Sequence, residues 1–101
     1  MQTMDNLKRL GKLDQAGNDA WKRFQQFNSA AMEEGAIRGK YKELIALAVA
    51  LTTQCSDCLE IHRKGAEANG ATQEEIAETV MVAAALRAGA AVTHGTEILS
   101  D

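Results

Sequence analysis

Composition and patterning predict an all-α protein. Of the 101 residues, 46% are apolar, none is proline and only 4% are aromatic, a balance that suits Ala- and Leu-rich helices better than strands. Apolar side chains recur at three- and four-residue spacing, and Thr72-Gln73-Glu74-Glu75 is a capping box of the T-x-x-E type. A chain of this length reads as a single domain, residues 1–101, of about five to six helices. Its surface-to-volume ratio limits the core that one copy can build. Assembly through buried apolar helices would ease that limit.

The elements follow in order. Residues 1–12 are polar with scattered Leu7 and Leu10, and predict a short or frayed helix. From about Asp14 to Met32, Trp21, Phe24 and Phe27 fall three apart, as an amphipathic helix requires; this stripe is read as core or subunit packing rather than a pocket. Gly35 and Gly39 bracket a break, with Gly35 as a C-cap. A helix then starts near Arg38 or Lys40, and from Leu44 to Leu51 it has no polar residue, which predicts burial on every side, within the subunit or against a neighbour. Thr52, Thr53 and Gln54 predict a bend before a second start near Cys55 or Ser56, and Asn69-Gly70 a stop. After the capping box a helix runs through Ile76, Val80 and Leu86. Gly89 is read as a kink or end, followed by a last short helix from Ala90 to Leu99.

The formal net charge of −3 leaves no basic stripe, so nucleic acid is not an expected partner. The apolar run from Leu44 to Leu51 is too short to span a bilayer, and no segment has the three regions of a signal peptide. A soluble, cytoplasmic protein without a membrane partner is expected. In a reducing compartment a C-x-x-C pair is more often redox-active, catalytic or metal-binding than a structural staple.

Both cysteines lie in Gln54-Cys55-Ser56-Asp57-Cys58-Leu59-Glu60-Ile61-His62. Cys55 and Cys58 are at i and i+3, Cys58 and His62 at i and i+4, so on one helix they share a face. A helix N-terminus favours the Cys55 thiolate and a nearby imidazole favours that of Cys58. On a regular helix, Cβ atoms three apart are about 5–6 Å distant, against about 3.5–4.5 Å in a disulfide. The oxidised pair is therefore expected to distort the first turn and to be easily reduced. Glu43 opens an otherwise apolar helix. Its plain reading is an acidic residue favoured by the macrodipole; if the two helices pack antiparallel, it would instead orient His62 as a base.

The register Glu43, Cys55, Cys58, His62, an E-x(11)-C-x-x-C-x-x-x-H pattern, resembles the AhpD-like alkylhydroperoxidases of the carboxymuconolactone decarboxylase superfamily. The resemblance covers about residues 20–100, including Ala66-x-x-x-Gly70, the T-x-E-E-I run from Thr72 to Ile76 and the Ala-rich segment behind it. It implies an AhpD-like helical domain that assembles into homo-oligomers, trimers or hexamers, and that reduces small-molecule or alkyl hydroperoxides in antioxidant defence. Carried over, Cys58 is the peroxidatic thiol, Cys55 the resolving thiol, and Glu43 with His62 the proton relay. No bound cofactor is implied; an external dithiol such as dihydrolipoamide, or a thioredoxin-like protein, would reopen the disulfide. The chain departs from the pattern at Asp57, where the best-known members carry a second histidine. The superfamily's decarboxylases are described as lacking the cysteine pair. The residues alone favour Cys55 as the more acidic thiol, whereas the resemblance assigns the attack to Cys58.

Three other readings stand beside this one. Cys55, Cys58, His62 and Glu43 are acceptable zinc donors, although ligands on one helical face splay along its axis. The thiols could be small buried hydrophobes in a non-enzymatic assembly module, or the redox pair of a thiol-disulfide oxidoreductase acting on another protein. Haem c attachment is excluded because Leu59, not histidine, follows Cys58. His94, Lys40, Tyr41, Lys42, Arg63 and Lys64 are read as surface or contact residues.

Overall fold

The structure is a computed structural model that describes residues 8–101. From Gly11 onward it is built of α1 (Gly11–Gln15), α2 (Asp19–Met32), α3 (Gly39–Thr53), α4 (Ser56–Ala68) and α5 (Gln73–Gly95), ending in a 3-10 turn, Thr96–Ile98. The all-α expectation holds. The part of the N-terminal expectation that falls on residues 1–7 lies outside the described residues.

Local chemistry accounts for most boundaries. Between α1 and α2, Gly17 takes a left-handed φ of +66°, and the Asn18 side chain accepts from the Trp21 backbone N–H at 3.2 Å. That pair splits the continuous helix expected from Asp14 to Met32, because the cap supplies an acceptor for an otherwise unpaired donor. Gly35 is not a left-handed C-cap; α2 ends at Glu33 in extended backbone. Its terminal carbonyls are met instead by Lys42, whose Nζ donates to Ala31 O at 2.9 Å and to Glu33 O. Glu34 Oε1 accepts from Gly39 N at 3.1 Å, holding the first turn of α3. Lys42, expected on the surface, thus ties α2 to α3 with a cation at a helix C-terminus, where the dipole favours it.

The capping box forms as read, with Glu75 N donating to Thr72 Oγ1 at 3.1 Å and Thr72 N donating to Glu75 Oε1 at 2.9 Å. The other oxygen of Glu75 accepts from Lys40 Nζ at 3.0 Å, linking the starts of α3 and α5. Gly89 neither kinks nor ends α5, which runs unbroken to Gly95. The flanking alanines are strong helix formers and carry the helix through a cost of about 1 kcal/mol. With the turn after it, the segment 73–98 holds an 18-residue window of mean hydropathy 1.4, long and apolar enough to cross a membrane by length and composition alone. Alanine supplies that hydropathy without bulk.

α3 packs on both α4 and α5, while α2 touches α3 more loosely and α1 packs on α2. Among the described residues the buried apolar ones are Leu47, Ala50, Ala66 and Ala83. The radius of gyration is 16.8 Å, against about 13 Å for a compact domain of this length. α3 is not buried on every side within the chain. Val49 is 55% and Leu86 of α5 66% exposed, with Ile45 and Val82 also exposed, and Val49, Val82 and Leu86 line one shallow groove between the two helices.

The Glu75 carboxyl is held below its usual value of 4.5, first by the Thr72 backbone N–H and then by Lys40. A lowered folded-state value means stability that is complete above the unfolded value and lost as pH falls through the folded one. Glu75→Gln should therefore lower urea stability at neutral pH, and its deficit against wild type should shrink below about pH 4.5. Thr72→Ala should cost about 1 kcal/mol at neutral pH.

Candidate active site

The turn between α3 and α4 is only two residues long. Thr52 and Thr53 turn their hydroxyls back on Val49 O at 2.8 and 3.0 Å, a pattern that weakens a helix end. Gln54 then adopts a left-handed conformation, φ 58° and ψ 41°, and its N–H donates to Ala50 O. Cys55 N donates to the same carbonyl at 3.0 Å. For a residue with a Cβ this geometry costs roughly 1–2 kcal/mol, and it is what folds α4 back along α3.

Cys55 is consequently the N-cap of α4, in extended backbone (φ −96°, ψ 91°), and its Sγ accepts from Cys58 N at 3.3 Å. The two cysteines are joined in a disulfide with a Cα–Cα distance of 5.2 Å, inside the usual range. The distorted first turn expected from helical i, i+3 spacing is absent because Cys55 is not a helical residue.

Folding back brings Glu43 from the second turn of α3 against the middle of α4. His62 Nδ1 and Glu43 Oε2 are 2.7 Å apart, both side chains about four-fifths buried. A carboxylate only accepts, so the ring donates from Nδ1 and neutral His62 keeps its lone pair on Nε2. The macrodipole reading of Glu43 gives way to an orienting contact. The carboxylate also lies directly over Gly65, one turn beyond His62 on the same helix. Gly65 drew no notice in the sequence, although a glycine inside a helix is itself a signal of close approach.

Cys58 and His62 line a cleft of about 500 Å³ between α1, α2 and α4. Its opposite wall is Trp21 and Phe24, stacked with ring centroids 5.6 Å apart and 27° between planes. Ile61 adds apolar surface, and Gln25, Asn28 and Ser29 supply polar groups. The volume and lining are those of a small-molecule site. Trp21 and Phe24 of the aromatic stripe therefore line the same cleft as Cys58 rather than a core within the described residues, while Phe27 is exposed outside it. Cys55 does not line this cleft. A smaller cavity of about 200 Å³ lies among Leu47, Leu51, Leu59, Ile76 and Val80, and neither cysteine nor histidine reaches it.

Other candidates fall outside. His94 is exposed, its ring 3.6 Å from Glu97. Arg63 pairs with Glu60 and Glu67 on α4, and its hydrogen bond holds the Glu60 carboxyl below 4.5. Among the described residues no three of His, Cys, Asp and Glu converge as metal ligands, and sulfurs joined to each other are not thiolate donors.

A helical hairpin that sets a C-x-x-C pair at one end and a buried carboxylate–imidazole pair along its length defines a class of thiol-bearing all-α proteins. Residues 18–101 match the carboxymuconolactone decarboxylase family, and the chain belongs to that family. It is 43% identical over 91 residues to uncharacterized protein 4 in the cox locus of Paracoccus denitrificans, covering 90% of this chain and 82% of the relative. Its fold is similar to a carboxymuconolactone decarboxylase family protein of Legionella pneumophila, solved in the apo form, with a TM-score of 0.77 at 33% identity over 83% of this chain and 75% of that one. A protein of Methanobacterium thermoautotrophicum is similar with a TM-score of 0.76 at 31% identity, over 82% of this chain and 95% of that one.

The cleft geometry predicts unequal thiols. In the reduced protein a bulky, apolar maleimide should label Cys58 before Cys55, and Trp21→Ala should speed that labelling; peptide mapping by mass spectrometry reads both. Equal labelling of the two sites would contradict the placement of Cys58 on the cleft.

Proposed function

We propose that this protein is a thiol-dependent peroxidase and disulfide reductase of the AhpD-like type, acting in the cytoplasm. The carrying observation is that Cys58 and His62 share one cleft while Glu43 holds the ring from behind. His62 Nε2, the nitrogen left with a lone pair, takes the Cys58 thiol proton, directly or through a water. The thiolate attacks one peroxide oxygen, the O–O bond breaks, and the proton passes to the departing oxygen. Peroxide becomes alcohol and Cys58 a sulfenic acid. Cys55 then attacks the Cys58 sulfur and expels water, giving the disulfide. An external dithiol such as dihydrolipoamide, or a thioredoxin-like protein, returns two thiols and leaves as its own disulfide.

The N-cap position of Cys55 supports its part in this sequence. A thiolate there accepts the Cys58 N–H and meets the positive end of the α4 dipole, which favours both its attack and its departure during re-reduction. The same feature favours thiol-disulfide exchange without any peroxide, so disulfide reduction stands as the second reading.

Assembly is part of the proposal. Ile45, Val49, Val82 and Leu86 form an exposed apolar face that no described residue covers, and the small core leaves stability to be completed by association. We assign that face to contact between copies of this chain, as trimers or hexamers, rather than to a membrane.

Peroxide consumption with dihydrolipoamide as donor tests the reaction. Wild type should turn over, and Cys58→Ser should be inactive. Cys55→Ser should stop after one turnover with a sulfenic acid trappable by dimedone. Glu43→Gln should lose on the order of 10²-fold. Disulfide formation without peroxide turnover would leave the oxidoreductase reading in its place. For assembly, Val49→Glu combined with Leu86→Glu should convert the oligomer to monomers in sedimentation velocity; a monomeric wild type would overturn the assignment.

A further inference from the structure

We infer that Gly65 is a positioning residue for this site, its missing side chain being the seat of the Glu43 carboxylate. The inference rests on the proposed Glu43–His62 relay and adds a residue to it. A Cβ built at Gly65 would lie 2.6 Å from Glu43 Cδ, 2.6 Å from Oε2 and 2.7 Å from Oε1. Real carbon contacts begin near 3.5 Å, so the carboxyl group occupies the space in which any other side chain would start. The oxygen closest to Gly65 is also the one bound to His62 Nδ1.

The other glycines do not share this. Gly89, equally interior to its helix, has nothing within 4 Å, and Gly39 faces Asn69 and Glu34 at 3.0 Å or more. A glycine inside α4 costs about 1 kcal/mol of helix propensity relative to alanine. At Gly65 the three atoms nearest the missing side chain all belong to the working end of Glu43. Close helix packing alone would put backbone or aliphatic atoms there. The geometry ties the cost to the carboxylate.

The consequence of adding a methyl group is local. The carboxylate is the free end of a flexible side chain and would retreat by about 1 Å, enough to carry a 2.7 Å contact beyond hydrogen-bonding distance. His62 would lose the partner that fixes the Nδ1–H tautomer, and Nε2 would no longer be held as the acceptor facing Cys58's cleft. The helix itself gains alanine's propensity, so folding is not what fails.

The test uses full-length reduced protein and needs no peroxide. Gly65→Ala should shift the ¹⁵N resonances of His62 away from the Nδ1–H tautomer and slow Cys58 alkylation to the rate of Glu43→Gln. Adding Gly65→Ala to Glu43→Gln should cause no further loss, since both remove one contact. Gly89→Ala, the same change of propensity in open space, should leave both readouts at wild type. In Gly65→Ala/Glu43→Asp, the shorter carboxylate makes room for the methyl, and the Nδ1–H tautomer should return in part. A wild-type tautomer in Gly65→Ala, additive losses with Glu43→Gln, or no recovery in Gly65→Ala/Glu43→Asp would overturn the inference. If Glu43→Gln alone leaves alkylation unchanged, the relay fails. The tautomer data then decide Gly65's role separately.

Discussion

The two-residue turn at Gln54 and Cys55 is the constraint on which the rest depends. Both backbone N–H groups of the turn converge on Ala50 O, so α4 has one way to leave α3, back along its flank. That single reversal sets Cys55 at the head of α4 and brings Glu43 onto His62, nineteen residues apart in sequence. It also lets α3 and α4 approach closely enough for a carboxylate to rest on a glycine. The left-handed Gln54 is a strained residue beside the Cys55–Cys58 disulfide, and such strain persists only where surrounding contacts over-determine it. Here the contacts are the Ala50 carbonyl and the carboxylate–imidazole pair lower on the hairpin.

Around that hairpin the chain is thinly built. Among the described residues the buried apolar ones are one leucine and three alanines, and the longest dimension is 56 Å against 30 Å across. Small side chains permit close helix contact but remove little area from water, at about 25 cal/mol per Å². Polar links carry the geometry that packing does not: Lys42 on the end of α2, Glu34 on the start of α3, and Lys40 with Glu75 between α3 and α5. The aromatic wall of the cleft is thus placed by Lys42, the residue before the site's own carboxylate.

Much of this was legible in the sequence where one residue decides the local outcome. The capping box at Thr72, the bend at residues 52–54 and the stop at Asn69-Gly70 each follow from a side chain acting on its own backbone. The pairing of Glu43 with His62 was legible only as a condition, that α3 and α4 pack antiparallel, which periodicity cannot decide. What escaped was tertiary. The stripe of Trp21, Phe24 and Phe27 reads the same whether it faces a core or a cleft, and Lys42 looks like any surface lysine until the end of α2 arrives beside it. Gly89 and Gly65 are indistinguishable by rule, both single glycines in helices; only the neighbouring chain separates the idle one from the one that holds a carboxylate.

The two cysteines pose a question that helix-dipole reasoning and family resemblance answer differently, and the geometry gives a reason to keep both answers. Cys55, as N-cap, has the backbone N–H and the dipole, so its thiolate is the better stabilised. Cys58 has the cleft and the imidazole, so it is the sulfur that a small substrate meets. A thiolate steadied at a helix terminus is present in larger fraction and departs more readily, although nucleophilicity per thiolate falls with basicity. In the proposed cycle the more stabilised sulfur therefore resolves and departs, while the one beside the base attacks.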